Sequence, residues 1–207
     1  MKIYTGITKD EVKLAKIKEM NLGIMISSCY DLSLPTKVFP TNYALDNGAF
    51  SCYTKGYPFQ RDLFMSTINK CYKKNIILDF IVCPDIVCGG KKSLSFSASW
   101  AEKEMLGTPN LALVVQDGME TIDVLPCLSP FSYIFLGGSV EWKWKNAKKW
   151  VSFAKEHNKK VHIGQCGQLK YLNIAKELEV DSVDSTSFVR NGSWNILEKF
   201  YSNKELF

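Results

Sequence analysis

The sequence predicts a single-domain α/β fold, a parallel (β/α)8 or TIM barrel, and three observations carry that reading. Short apolar runs rich in Ile, Val, Phe and Tyr alternate with longer segments of helical period, the pattern of a parallel α/β protein. Eight such runs occur, the number that closes this kind of barrel. Polar and glycine-rich signals follow the ends of the runs rather than their beginnings, so in a parallel barrel they share one face.

In order, the first strand is expected at 2–5, where Ile3, Tyr4 and Thr5 favour extended backbone. A helix over 9–20 follows, with Thr8 as its cap, Glu11 at capping-box spacing, and Val12, Leu14, Ile17 and Met20 as its apolar side. The second strand is 23–27. Pro35 and Pro40 exclude a regular helix from 31–41, which reads as a loop into the third strand at 43–46. A helix at 60–74 turns Leu63, Phe64, Ile68 and Cys71 inward and leads to the fourth strand at 80–83. The stretch 91–96 reads as a loop placed to act as a lid, before a helix at 97–106. Strands at 111–115, 133–136, 160–164 and 182–185 then alternate with helices at 120–127, 141–157 and 168–178, and a last helix covers 194–200. No repeat, linker or low-complexity tract interrupts 1–207.

Composition narrows the class. With 46% hydrophobic and 23% charged residues the chain is globular in type, and no run approaches the roughly 18 apolar residues of a membrane span. The first residues run straight into a strand, unlike a secretory leader, and the cysteine count is odd at seven. Reduced thiols and a cytoplasmic location are therefore expected. A net charge of +5 permits a nucleic-acid partner without requiring one. Lys143, Lys145, Lys148 and Lys149, interleaved with Trp142, Trp144 and Trp150, read first as a solvated helix face over buried tryptophans, and second as a phosphate-tracking patch.

The strand-end signals are Asp46-Asn47-Gly48-Ala49-Phe50, Pro84-Asp85, Gln116-Asp117-Gly118, Gly137-Gly138-Ser139, Gly164-Gln165-Cys166-Gly167 and Asp184-Ser185-Thr186. Their order resembles that of the tRNA-guanine transglycosylases and their relatives that insert deazaguanines into DNA. The Asp-Ser-Gly-Gly-Phe-Gln motif of that family is similar to 46–51, its next strand-end Asp to Asp85, and its Val-Gln-Gly to 115–118 with one residue inserted. Its Gly-Gly-Leu resembles 137–139, its Gly-Val-Gly 164–167, and its Val-Asp-Met-Phe-Asp-Cys, which holds the nucleophile, 180–185.

The resemblance implies Asp184 as nucleophile and Asp46 as general acid and base. It further implies that Phe50 stacks on the base, that Asp85, Gln116, Gly137 and Gly138 read its edge, and that Ser139 and Cys166 line the same mouth; Arg190, just beyond the expected nucleophile, is placed for a phosphate contact. Strand parity favours Asp184 over Asp181, because residues three apart point to opposite faces of a strand. The three clustered cysteines and histidine of the zinc-binding tRNA-modifying members have no counterpart. His157 and His162 are the only histidines, and Cys83-x4-Cys88 is no convincing ligand pair, so neither structural zinc nor a cofactor is expected. The expected partners are a polynucleotide, DNA before tRNA, and a free 7-deazaguanine base. A catalytically silent barrel that binds nucleic acid or a base, and a hydrolase of free nucleosides, stand as alternatives.

Overall fold

The structure is a computed structural model and describes residues 1–28 and 41–202. Eight parallel strands close into a barrel: β1 (Lys2–Gly6), β2 (Gly23–Ser27), β3 (Tyr43–Asp46), β4 (Leu78–Val82), β5 (Leu111–Val115), β6 (Phe131–Leu136), β7 (Lys160–Ile163) and β8 (Ser182–Asp184). Each pairs with its successor, and β8 returns to β1 through Lys2–Ser182, Ile3–Val183 and Tyr4–Asp184. The (β/α)8 expectation is met in order and direction. The loop expected at 31–41 lies, apart from Thr41, outside the described residues.

The helices pack around the barrel: α1 (Glu11–Glu19), α2 (Ala49–Thr54), α3 (Arg61–Lys73), α4 (Lys91–Lys103), α5 (Thr121–Val124), α6 (Val140–Glu156), α7 (Leu169–Glu177), α8 (Ser187–Arg190) and α9 (Trp194–Ser202). A short 3-10 turn, Leu125–Cys127, extends α5 where Pro126 removes a helix donor. The stretch 91–96 is not a loop or lid but the first half of α4. Ser93 and Ser97 are fully buried there, their hydroxyls bonded to Ile86 N and Pro84 O, so tertiary bonds hold a helix that weak local propensity did not announce. The cap of α1 is Asp10, which accepts from Lys13 N, while Thr8 instead accepts from Asp10 N. Within the helix Val12 faces solvent, against the expected apolar side, and Ile17 is the buried anchor.

Two apolar layers result. Between strands and helices lies the larger core, with Ile24, Ile26, Phe64, Leu113, Ile134, Trp150, Ile163 and Val183 among its members. Inside the barrel, Tyr4, Met25, Ala44, Phe80, Val82, Ala112, Val114 and Tyr133 fill the lumen with Phe135 against them. The β3–β4 register slips between Tyr43–Leu78 and Leu45–Ile81. That bulge lets consecutive Asp79 and Phe80 both serve the interior, Asp79 taking the Tyr4 hydroxyl and the Lys2 ammonium at the N-terminal end. The lumen is thus plugged through its middle, with the Asp79 contacts below the plug and the polar strand ends above it.

Candidate active site

The C-terminal mouth is built from alternate residues of successive strands. In β8 the alternation puts Ser182 and Asp184 inward and Val183 in the outer core, as parity requires. Asp181 lies at the opposite end of that strand, where its carboxylate accepts from Val161 N. In β3, Ala44 and Asp46 face inward, and the chain then turns through Asn47 and Gly48 into α2.

Asn47 ties the third and fourth strand ends together. Its amide donates to Cys83 O and to Asp85 Oδ1, both at 2.8 Å, and its Oδ1 accepts from Ala49 N at 2.8 Å. Gln116 Nε2 donates to Ile86 O at 3.0 Å and reaches Asp85 Oδ2 at 3.5 Å. Asp46 Oδ2 accepts from Ser27 Oγ and Gly48 N, each at 3.2 Å. Three carboxylates from β3, the β4 end and β8 therefore converge, and Asp46 feels the charges of the other two. Burial, then the charges of Asp184 and Asp85, push Asp46 up to about 7 against the opposing bonds from Gly48 and Ser27. Burial raises Asp85 to about 6, opposed by the Asn47 bond.

Beneath Asp184 sits His162, fully buried, with Nε2 3.1 Å from Asp184 Oδ1 and Nδ1 2.9 Å from Ser182 Oγ. In the sequence His162 stands out only as one of two histidines with no zinc-ligand set around it. Its alternate position in the β7 run was the available signal that it faces the axis. Lys143 belongs by its spacing to a run of four lysines expected on a solvated helix face. It is instead fully buried behind β7, donating to Gly164 O at 2.5 Å, and burial lowers its pKa. Trp150 is buried as expected, but Trp142 and Trp144 are half-buried.

The structure brings Asp46, Asp85, Gln116 and Asp184 to one mouth and distributes the remaining expected residues around it. Phe50 is 53% exposed on the first turn of α2. Gly138 is left-handed, with φ of 74°, and a Cβ there would lie 2.4 Å from Asp117 Oδ2, so only glycine fits. The Gly137 N–H is donated to Val115 O in continuation of the β5–β6 pairing and is not open to a base. Ser139 does not line the mouth as an open hydroxyl: it caps α6 at Trp142 N, and its N–H and hydroxyl both go to Asp117. Cys166 is also displaced from its expected place. Gln165 takes a left-handed φ of 62°, after which the Cys166 side chain packs fully buried in the outer core with Sγ toward Ile163 O. Arg190 is exposed at the end of α8, just beyond β8.

A groove of about 300 Å³ between α2 and α3, lined by Ser51, Cys52, Lys55, Tyr57, Gln60 and Leu63, lies on the flank. It holds no carboxylate or histidine, unlike the mouth. Among the described residues no group of three or more His, Cys, Asp or Glu side chains is arranged to hold a metal ion. No helix among them is long and apolar enough to cross a membrane. A scan against models of known protein families finds no match to this sequence, and a comparison with curated proteins finds none either.

Proposed function

We propose that this barrel is a base-exchanging transglycosylase that replaces guanine in a polynucleotide, DNA in preference to tRNA, with a 7-deazaguanine such as 7-cyano-7-deazaguanine. The observation that carries the reading is the split between two inward carboxyl groups at one mouth. Asp46 is pushed toward the neutral acid, while Asp184 ends β8 with Oδ2 uncommitted to any described residue. A buried carboxyl group held toward its neutral form suits the acid, and a second one with an open oxygen on the same mouth suits the nucleophile. The motif order, which resembles that of guanine transglycosylases, supplies the substrate class.

In the first half-reaction the Asp184 carboxylate forms a bond to C1′ of the target nucleotide. The electron pair of the C1′–N9 bond leaves with guanine, which takes its proton from Asp46. In the second, Asp46 removes a proton from the incoming base, whose nitrogen attacks C1′ and expels the Asp184 carboxylate. Asp85 accepts from the amide-type N–H donors of the base, and Gln116 Oε1, its Nε2 already engaged by Ile86 O, offers a further acceptor. To reach C1′ the target nucleotide must leave its stack or lie in a single strand.

Incubation with labelled guanine and either DNA or tRNA tests the reading. Label is expected in DNA, together with a protein–DNA adduct on a denaturing gel. Asp184→Asn removes the adduct and lowers exchange by roughly 10³-fold or more. Label entering only tRNA replaces DNA as the substrate, and label entering neither overturns the assignment.

A further inference from the structure

We propose that His162 is the positioning residue of Asp184, an imidazole that donates from Nε2 to Oδ1 and leaves Oδ2 turned to the mouth. Three inward groups form the set. His162 of β7 pairs in register with Ser182 of β8, and Asp184 stands two residues further along the same face. The contacts are Ser182 Oγ to Nδ1 at 2.9 Å and Nε2 to Asp184 Oδ1 at 3.1 Å.

The chemistry of the partners fixes the Nε2 proton. An ionised carboxylate can only accept, so Nε2 carries the proton, and the Ser182 hydroxyl, which can give or take, pairs with Nδ1. The ring cannot easily turn from that arrangement. It is fully buried between Phe135 at 4.7 Å, Phe80 at 4.9 Å and Tyr4 at 6.0 Å, measured between ring centroids. The ring orients the carboxylate, and in the second half-reaction it stabilises the departing carboxylate through Oδ1.

The Nε2 proton stands on geometry alone, whereas its catalytic consequence rests on the transglycosylase reading, and the experiment separates them. The chain has two histidines, so 15N-histidine NMR of wild type and of His162→Gln assigns the ring by difference. Wild-type His162 is expected with protonated Nε2 at neutral pH, and Asp184→Asn is expected to move the Nε2 proton resonance. A proton on Nδ1 alone overturns the proposal whether or not the protein exchanges bases. In the exchange assay, His162→Phe is expected to lower kcat by about 10²-fold with KM for the base little changed, the cost of a misplaced reacting group. His162→Gln, whose amide can donate from the same place, is expected to recover most of that loss. Equal kcat for His162→Phe and wild type, or no recovery with glutamine, sinks the positioning role.

Discussion

Asp46 carries a clear pH signature. Its folded-state pKa is raised from 3.8 to about 7 by burial and by the neighbouring Asp184 and Asp85, and Asp85 rises to about 6 by burial. A raised folded pKa means that the native state binds more protons than the unfolded chain between those values, so stability is lost as pH rises from about 4 through about 7. Removing the charge should reverse that loss. Asp46→Asn is expected to raise Tm by a few degrees at about pH 8 and to leave it nearly unchanged at about pH 4. Thermal unfolding of both proteins at the two pH values checks this, and an equal gap at both would refute the assignment of burial strain to Asp46. These carboxylates were legible because each follows an apolar run. Asn47 and His162 were not, since one reads locally as a turn residue and the other as an ordinary alternate strand position. Their partners come from the neighbouring strand, and only the pairing of the two strands supplies them.

Among the elements, the helix ends show how local chemistry sets the strand entrances. Asn21, Asn75, Asn158 and Glu179 follow the ends of α1, α3, α6 and α7, all with left-handed φ between 50° and 56°. At each, the next N–H returns to a carbonyl five residues back: Leu22 to Ile17, Ile76 to Cys71, Lys159 to Ala154 and Val180 to Ala175. This is the Schellman closure, and asparagine tolerates it better than most side chains. Asn75→Val should cost about 1–2 kcal/mol, the penalty for a β-branched residue in the left-handed region, whereas Asn75→Gly should be neutral or stabilising. Urea unfolding of the two variants checks the difference, and equal stability would exclude a conformational origin. Strands were readable to within two residues because short apolar runs bounded by polar and glycine signals stand out in a parallel fold. The six-residue α2 was missed because it opens on a left-handed glycine after a turn sequence, and the start of α4 because its serines bond outside their own helix.

For the whole molecule, the sequence foretold strand number, direction and the common polar face, since these follow from alternation and from which strand ends carry polar groups. The β4 bulge and the resulting floor of Tyr4, Phe80 and Tyr133 were not readable, because a register slip is decided by pairing across strands. That floor gives the barrel a single door. A base that departs and a base that arrives must then use the same opening in turn, so neither can wait inside while the other is bound. Under the proposed reaction, initial rates at several fixed concentrations of polynucleotide should give parallel double-reciprocal lines against the incoming base. Free guanine should compete with that base rather than with the polynucleotide. Intersecting lines would require both bases to occupy the lumen together, which the filled interior leaves no room for.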